Sequence, residues 1–307
     1  VSVLSLGGLF ISSHGSAFTD AKAAIERAVE LGINFIDTAP GYLDSEEVLG
    51  KILPGLKEKV FLSTKLGYKP EPFEAQNPEF LKNAFRESLK RLNRESVDLL
   101  FIHEPDRNEP MDWWKDKERF EGPVNDVLKE MKDLKKTTYT GLGGTTAYEM
   151  AHVIETGRYD VLLSAFQYDL LWREAEIAVF PAAKRQNMGL IIGSPLHQGA
   201  LAKIYSDDVA APAKWLSPPR QKQFRKLYEL VRDCKIPLPE LAIRMILSNP
   251  DVSTILTGAR SVAEVEQNVA SASKGPLPKD LLSEINRIAE MVPFRPYLEP
   301  LGLPFKS

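Results

Sequence analysis

The chain has 307 residues, 43% hydrophobic and 26% charged, with Lys+Arg 39 against Asp+Glu 42 and a formal net charge of −3. Such a chain can bury a sizeable core, which excludes disordered and collagen-like classes, and its balanced charge gives no electrostatic reason to expect nucleic acid or an anionic membrane as partner. The one cysteine, Cys234, can neither close an internal disulfide nor build a zinc site, and it reads as a small buried residue in a reducing compartment.

At about 100–200 residues per domain the length allows one large domain or two. The opening VSVLSLGGLF has no basic leading region and reads as a strand, not a signal peptide. No segment approaches the ~20 apolar residues of a spanning helix, so a cytoplasmic location is expected.

In chain order, VSVLSL is the first predicted strand, followed by a helix over Asp20–Glu30 that ends at Gly32. NFID is a short strand and Ser45–Leu53 a helix. KVFLSTK is a strand, and Pro78–Leu92 is a helix with apolar Phe80, Leu81, Ala84, Phe85, Leu89 and Leu92. VDLLFIH leads to a helix over Val124–Leu134, TYTGLG to one over Ala147–Glu155, and VLLSAF to one over Glu174–Arg185. GLIIGSPL precedes helices over Arg220–Arg232 and Pro239–Leu247, and VSTILTG precedes a helix over Val262–Ala272.

That makes eight βα units. Continuous apolar runs such as DLLFI and LIIG suit strands covered on both faces. The pattern predicts a single-domain α/β chain over residues 1–307, a (β/α)8 TIM barrel with a Pro-rich C-terminal tail from about 293 to 307. An open doubly wound sheet is the competing reading, but LSLGGLFISSHGS holds no G-x-G-x-x-G fingerprint. Two long loops, Asn108–Gly122 after strand four and Ala210–Pro219 after strand seven, fall at the C-terminal mouth of such a barrel.

Strands two, three and four end in Asp37, Lys65 and His103, and Tyr42 follows on the loop TAPGY. Each alone has a plain structural reading: a turn-forming acid, a snorkelling lysine, a buried polar imidazole, a loop aromatic. Together at three successive strand ends they read as a site. No carboxylate pair or metal-ligand cluster stands at the strand ends, so no metal is expected and a barrel hydrolase is disfavoured.

These residues resemble the aldo-keto reductase family. The resemblance is carried by GINFIDTAPGYLDSEEVLG, FLSTK and VDLLFIHEPD, supported by SPLHQGALA and GARSVAEVEQN, and runs from LSLGG to about Ala270. It implies hydride transfer between a nicotinamide and a carbonyl carbon. Tyr42 would supply the proton, Lys65 would favour the phenolate, Asp37 would hold Lys65, and His103 would orient the carbonyl.

The resemblance also implies an NAD(P)(H) site. Gly7, Gly8 and Leu9 would lie under the cofactor, beside Asp37. Gln167 would bind the carboxamide. Gly143 and Gly144 stand where the family commonly has Ser-Asn, leaving backbone groups or Thr145 to serve. Gly193 stands where many members place a stacking aromatic, which predicts a roomier site and points to a sugar-oxidising subgroup.

Ser194, Leu196, Gln198, Gly199 and Leu201 match the loop over the pyrophosphate, though SPLHQG also reads as a plain turn. Gly258, Arg260, Glu264, Gln267 and Asn268 match the adenosine end. Ser261 and Glu264 equally form a capping box. A carboxylate at Glu264 disfavours a 2′-phosphate while Arg260 favours one, and the balance leans to NAD(H). Phe10, Tyr42, Tyr68, His103, Trp113 and Trp114 are candidates for the substrate pocket; His197 reads as a loop polar residue.

The expected function is an NAD(P)-dependent oxidoreductase acting on a small-molecule aldehyde, ketone or sugar. An NAD-preferring aldose 1-dehydrogenase forming a lactone is the close alternative. A cofactor-binding regulatory subunit, of the potassium-channel β type found in the family, is the alternative of another class.

Overall fold

The computed structural model describes residues 1–107, 109–211, 214–296, 299–300 and 302–305. Among them eight parallel strands close into a barrel: β1 (Leu4–Gly7), β2 (Phe35–Asp37), β3 (Phe61–Leu66), β4 (Val97–His103), β5 (Thr137–Gly144), β6 (Val161–Ala165), β7 (Gly189–Gly193) and β8 (Thr254–Gly258). Each strand pairs with the next, and β1 pairs with β8, with Gly7 opposite both Asp37 and Gly258.

The twofold alternation of a strand decides what faces inward. Phe35, Leu99, Phe101, Leu163, Ile191 and Leu256 form one cluster filling the barrel. Asp37 and His103 share the parity of Phe35 and Phe101 and sit one layer above this plug. The intervening residues, such as Ile36, Leu100 and Ile102, belong to the second, larger core between the sheet and the helices.

The helices that follow β1 to β5 are α1 (Phe18–Glu30), α2 (Ser45–Ile52), α3 (Pro78–Arg91), α4 (Pro123–Asp133) and α5 (Tyr148–Ile154). Pro78 pre-sets the first turn of α3, where its missing N–H costs nothing, and the Asn77 side chain accepts from Phe80 N–H. The helix expected over Glu174–Arg185 is two pieces, α6 (Glu174–Ile177) and α7 (Val179–Arg185), parted at Ala178. Pro181 explains the break: it has no N–H to give the carbonyl of Ile177, so an unbroken helix cannot pass.

The loop expected over Ala210–Pro219 is shorter, because a helical turn, α8 (Ser206–Ala210), enters it and α9 (Pro218–Cys234) starts at its end; Pro212 and Ala213 lie outside the described residues. The helices α10 (Leu238–Leu247) and α11 (Val262–Ser273) match the sequence reading. A further helix, α12 (Lys279–Ala289), buries Ile285, Ile288 and Ala289 and packs against α9. It lies beyond the expected elements, although its apolar residues recur at helical spacing.

The tail docks through a buried ionic cluster. Glu299 accepts from Arg220 at 2.9 Å and from Trp172 Nε1 at 2.6 Å. Arg295 reaches the Phe166 carbonyl at 2.9 Å, and Phe305 stacks on Tyr205 at 4.5 Å between ring centroids. Tyr297, Leu298, Leu301, Lys306 and Ser307, part of the expected tail, lie outside the described residues.

Candidate active site

Strand parity brings the three strand-end candidates, Asp37, Lys65 and His103, to one point. Lys65 Nζ donates to Asp37 Oδ2 at 2.6 Å and to the Thr38 carbonyl at 2.8 Å, and Ser63 Oγ donates to Asp37 Oδ1 at 2.7 Å. Both members of the ion pair are almost fully buried. Tyr42 follows β2 on a short turn closed by its N–H to the Ala39 carbonyl, which swings the phenol back over the barrel. The Lys65 ammonium lies 4.6 Å from the centre of the Tyr42 ring. His103 meets that ring edge-on at 5.7 Å.

Burial pushes the Tyr42 phenol up from its ordinary value, and Lys65 pulls against it. Burial alone would pull the Lys65 ammonium down, but Asp37 and Tyr42 outweigh it and hold it above its usual value. His103 is pushed well below the ordinary imidazole range by burial and then by Lys65, so it is neutral at pH 7. The set is thus a charged ammonium, a neutral phenol and a neutral imidazole around one space.

That space is a cleft of about 1040 Å³, at the upper end of the ~300–1,000 Å³ usual for ligand sites. Of the residues read from sequence, its walls include Leu9, Phe10, Tyr42, Lys65, Tyr68, His103, Gly143, Gly144, Ser194, Leu196, Gln198, Gly199, Gly258, Arg260, Glu264, Gln267 and Asn268. The guanidinium of Arg260 lies 4.7 Å over the Phe10 ring.

Others stand behind the walls. Gly7 and Gly8 support Leu9, with Gly8 N–H donating to the Asp37 carbonyl at 2.7 Å. Gln167 Nε2 donates to the Thr145 carbonyl at 2.6 Å, and so props the wall residue Thr145. Leu201 is fully buried beneath its loop.

Three expectations need correction. Trp113 and Trp114 do not line the cleft: both are core residues whose indoles donate to the His103 and Pro105 carbonyls, at 3.2 and 2.9 Å. They support the end of β4 from behind. Gly193 does not itself line the cleft: Leu163 and Ala165, which a Cβ there would touch at 3.3 and 3.4 Å, form the wall instead. His197, read as a loop polar residue, belongs to the buried interior. It is fully buried, stacked on Trp172 at 3.6 Å and bonded through Nδ1 to Asp169 at 2.8 Å.

The Gly143-Gly144 pair has a cause in the fold. A Cβ at Gly144 would overlap Met150 Cε and come within 2.5 Å of Asp106 Oδ1, whose other oxygen accepts from the N–H groups of Thr145 and Thr146. Met150 and Asp106 together therefore take the space a side chain would need. At Gly143 a Cβ would have nothing nearer than 3.7 Å, so a flat group can approach that backbone closely. With Lys203 and Arg260 offering cations on the walls from the β7 and β8 loops, the cleft fits an extended anionic dinucleotide.

Sequence reasoning passed over several wall residues: His14, Glu104, Phe166, Lys203, Tyr205 and Thr257. Glu104 follows His103 directly, and Lys203 follows the SPLHQGALA run, so adjacency to a motif was the available clue. No group of three or more metal-ligating side chains occurs among the described residues.

Comparison with known proteins agrees with this geometry. The family model for the aldo/keto reductase family matches residues 3–290. The chain is similar to an L-galactose dehydrogenase of Arabidopsis thaliana, 30% identical with 93% of this chain and 90% of that protein covered. It is also similar to a putative voltage-gated potassium channel subunit beta of Schizosaccharomyces pombe, 28% identical over 95% and 91% of the two chains. A solved aldo-keto reductase from Bacillus halodurans, in its holo form, shares the fold with a TM-score of 0.78 at 24% identity, covering 97% of this chain and 96% of that one. The chain belongs to the aldo/keto reductase family, whose members are nicotinamide-dependent oxidoreductases of the (β/α)8 barrel fold.

Proposed function

We propose that residues 1–307 act as one unit that reduces a small-molecule carbonyl, or oxidises the corresponding alcohol or sugar, with Asp37, Tyr42, Lys65 and His103 as its working groups. The observation that carries this reading is the buried Lys65–Asp37 pair, 2.6 Å apart, under the ring of Tyr42. A buried ion pair is weak evidence for stability, so its placement beside a phenol and a neutral imidazole argues for chemistry.

A bound nicotinamide supplies or takes the hydride. Tyr42, kept neutral by burial, gives its proton to the carbonyl oxygen. Lys65 stabilises the phenolate left behind, and Asp37, itself held by Ser63, keeps the ammonium charged and aimed. His103, kept neutral, donates an N–H to the same oxygen and orients it. In the oxidative direction the Tyr42 phenolate is the base.

Leu9, Gly143, Gly144 and Thr145, backed by Gln167, would hold the carboxamide side. Ser194, Leu196, Gln198 and Gly199, with Leu201 beneath, would cover the pyrophosphate. Gly258, Arg260, Glu264, Gln267 and Asn268 would take the adenosine end. The cofactor reading leans to NAD(H), from the carboxylate of Glu264 on that wall.

A sugar dehydrogenase forming a lactone is the second reading, favoured by the similarity to an L-galactose dehydrogenase. The similarity to a channel β subunit keeps a regulatory role as the reading of another class. The reading expects a small-molecule partner in the cytoplasm; no helix among the described residues is long and apolar enough to cross a membrane.

The test is turnover of an aldehyde and aldose panel, followed by nicotinamide absorbance, for native protein and Tyr42→Phe, with cofactor Kd measured separately. The variant is expected to lose roughly 10²–10⁴ in kcat with little change in cofactor Kd. Near-native turnover by Tyr42→Phe refutes the assignment. Tight cofactor binding by native protein without turnover of any substrate favours the regulatory role.

A further inference from the structure

One polar cluster on the cleft wall has no part in the chemistry above. β3 and β4 are each followed by a residue in the left-handed backbone region, Tyr68 at φ 68 and Glu104 at φ 51. For a bulky aromatic this conformation is an outlier that persists only where the surroundings over-determine it, and such outliers gather at functional sites. Gly67 makes the approach possible: a Cβ there would meet His103 Cβ and Met111 Sδ, both at 2.9 Å.

The two strained residues meet. The Tyr68 hydroxyl donates to Glu104 Oε2, and the Tyr68 ring stands edge-on to His103 at 4.9 Å. The other Glu104 oxygen lies 3.4 Å from Thr145 Oγ1 and 3.7 Å from Arg107 Nε, which itself donates to that threonine hydroxyl at 2.8 Å. Tyr68, His103, Glu104 and Thr145 all line the cleft, and Arg107 stands behind them.

The cleft face of this wall presents Glu104 and no cation. Lys65 is matched by Asp37, His103 is neutral, Arg107 pairs with Glu104 at 3.7 Å from behind the lining, and the remaining cleft cations, Lys203 and Arg260, belong to the walls after β7 and β8. Beside the Tyr42–His103 pair the cleft therefore offers a carboxylate, a phenol and a hydroxyl. Carboxylate oxygens accept hydrogen bonds from hydroxyl groups and repel anions.

We propose that Glu104, held in place by Tyr68 and Arg107, is the specificity-determining residue of this cleft: it selects neutral polyhydroxylated carbonyl substrates and excludes those bearing phosphate or carboxylate. The proposal rests on the reading of the cleft as a carbonyl oxidoreductase site and names the substrate class for it. Tyr68 is a positioning residue that aims the carboxylate; Glu104 touches the substrate.

The experiment measures Kd by calorimetry on cofactor-loaded protein for ribitol and for its terminal phosphate monoester, in native protein, Glu104→Gln and Tyr68→Phe. Native protein is expected to bind the neutral alditol at least about tenfold more tightly, about 1.4 kcal/mol. Glu104→Gln should bring the two within about threefold, and Tyr68→Phe should narrow the ratio by less, because the carboxylate stays. Equal or tighter native binding of the phosphate, binding of neither, or a ratio unmoved by Glu104→Gln overturns the proposal. Turnover of ribose and its phosphate, read on the same samples, separates the two ideas. Failure to turn over any carbonyl counts against the oxidoreductase reading, while the ratio of Kd values still decides the role of Glu104.

Discussion

Replacing Lys65 by Met separates what its ammonium does for the fold from what it does for Tyr42. The ion pair with Asp37 is 2.6 Å long and both side chains are buried, so Lys65→Met leaves an uncompensated carboxylate in the barrel. Removing one member of such a pair costs about 3–5 kcal/mol. Adding Asp37→Asn removes the stranded charge and leaves the Ser63 hydroxyl an amide oxygen to bond. The Thr38 carbonyl then loses its donor and the introduced amide N–H group faces a side chain that cannot accept, a residual cost of about 1–2 kcal/mol for each.

The effect on chemistry does not recover in the same way. The ammonium lies 4.6 Å from the Tyr42 ring centre. A unit charge at that distance stabilises a phenolate by about 3.6 kcal/mol at an effective dielectric of about 20. A proton donor weakened by that much slows the proton-coupled step by about 10- to 10³-fold, for a Brønsted coefficient between about 0.5 and 1. Urea unfolding reads the stability, and single-turnover hydride transfer reads the rate. The expected pattern is a single variant that is unstable and slow, and a double variant that recovers part of the stability and is still slow. Recovery of rate together with stability would show that Lys65 only holds the fold together, and would sink the role given to it.

Glu264 is exposed and its Oε2 already accepts the Arg260 N–H at 2.7 Å, so its repulsion of a 2′-phosphate is screened. Glu264→Gln should move the ratio of NAD to NADP Kd toward NADP by only about fivefold, the size of a solvent-exposed like-charge contact; no shift, or a native preference for NADP, defeats the lean to NAD(H). His197 contributes, with His103, to the pH dependence of stability: burial pushes both below the ordinary imidazole value, His197 against the pull of Asp169. For His197 the unfolded form binds a proton that the folded form resists, so its contribution is full above the unfolded pKa. That contribution falls as pH drops through about 6.5, by at most about 1.4 kcal/mol per pH unit. Thermal unfolding between about pH 7.5 and about pH 5.5 should show a smaller drop in Tm for His197→Asn than for native protein; equal drops would remove His197 from the account.

Much of this protein is readable without coordinates because its order is local. Apolar runs bounded by turn residues mark buried strands, and twofold alternation along NFID and VDLLFIH already sends Asp37 and His103 to the same inner face as Phe35 and Phe101. Ser261 ahead of Glu264, or Asn77 ahead of Pro78, announces a helix start because the capping bond spans three residues. Pro181 is an equally local cause of the break between α6 and α7, which the expectation of one helix over Glu174–Arg185 missed.

What only the tertiary structure decided are contacts between residues far apart in the chain, where burial and partner choice depend on the closed barrel. Trp113 and Trp114 look like pocket aromatics on a mouth loop, yet they pack behind β4 because the His103 and Pro105 carbonyls there need donors. Gly144 has no room for a side chain because Asp106, 38 residues earlier, and Met150 on α5 occupy the space. His197 is buried because Trp172, Asp169 and the docked tail surround it. Glu104 joins the cleft wall only because β3 ends beside β4 and turns Tyr68 toward it. Local pattern carries the backbone bonds and the alternation of faces; which side chains share a wall is set by the register and closure of eight strands.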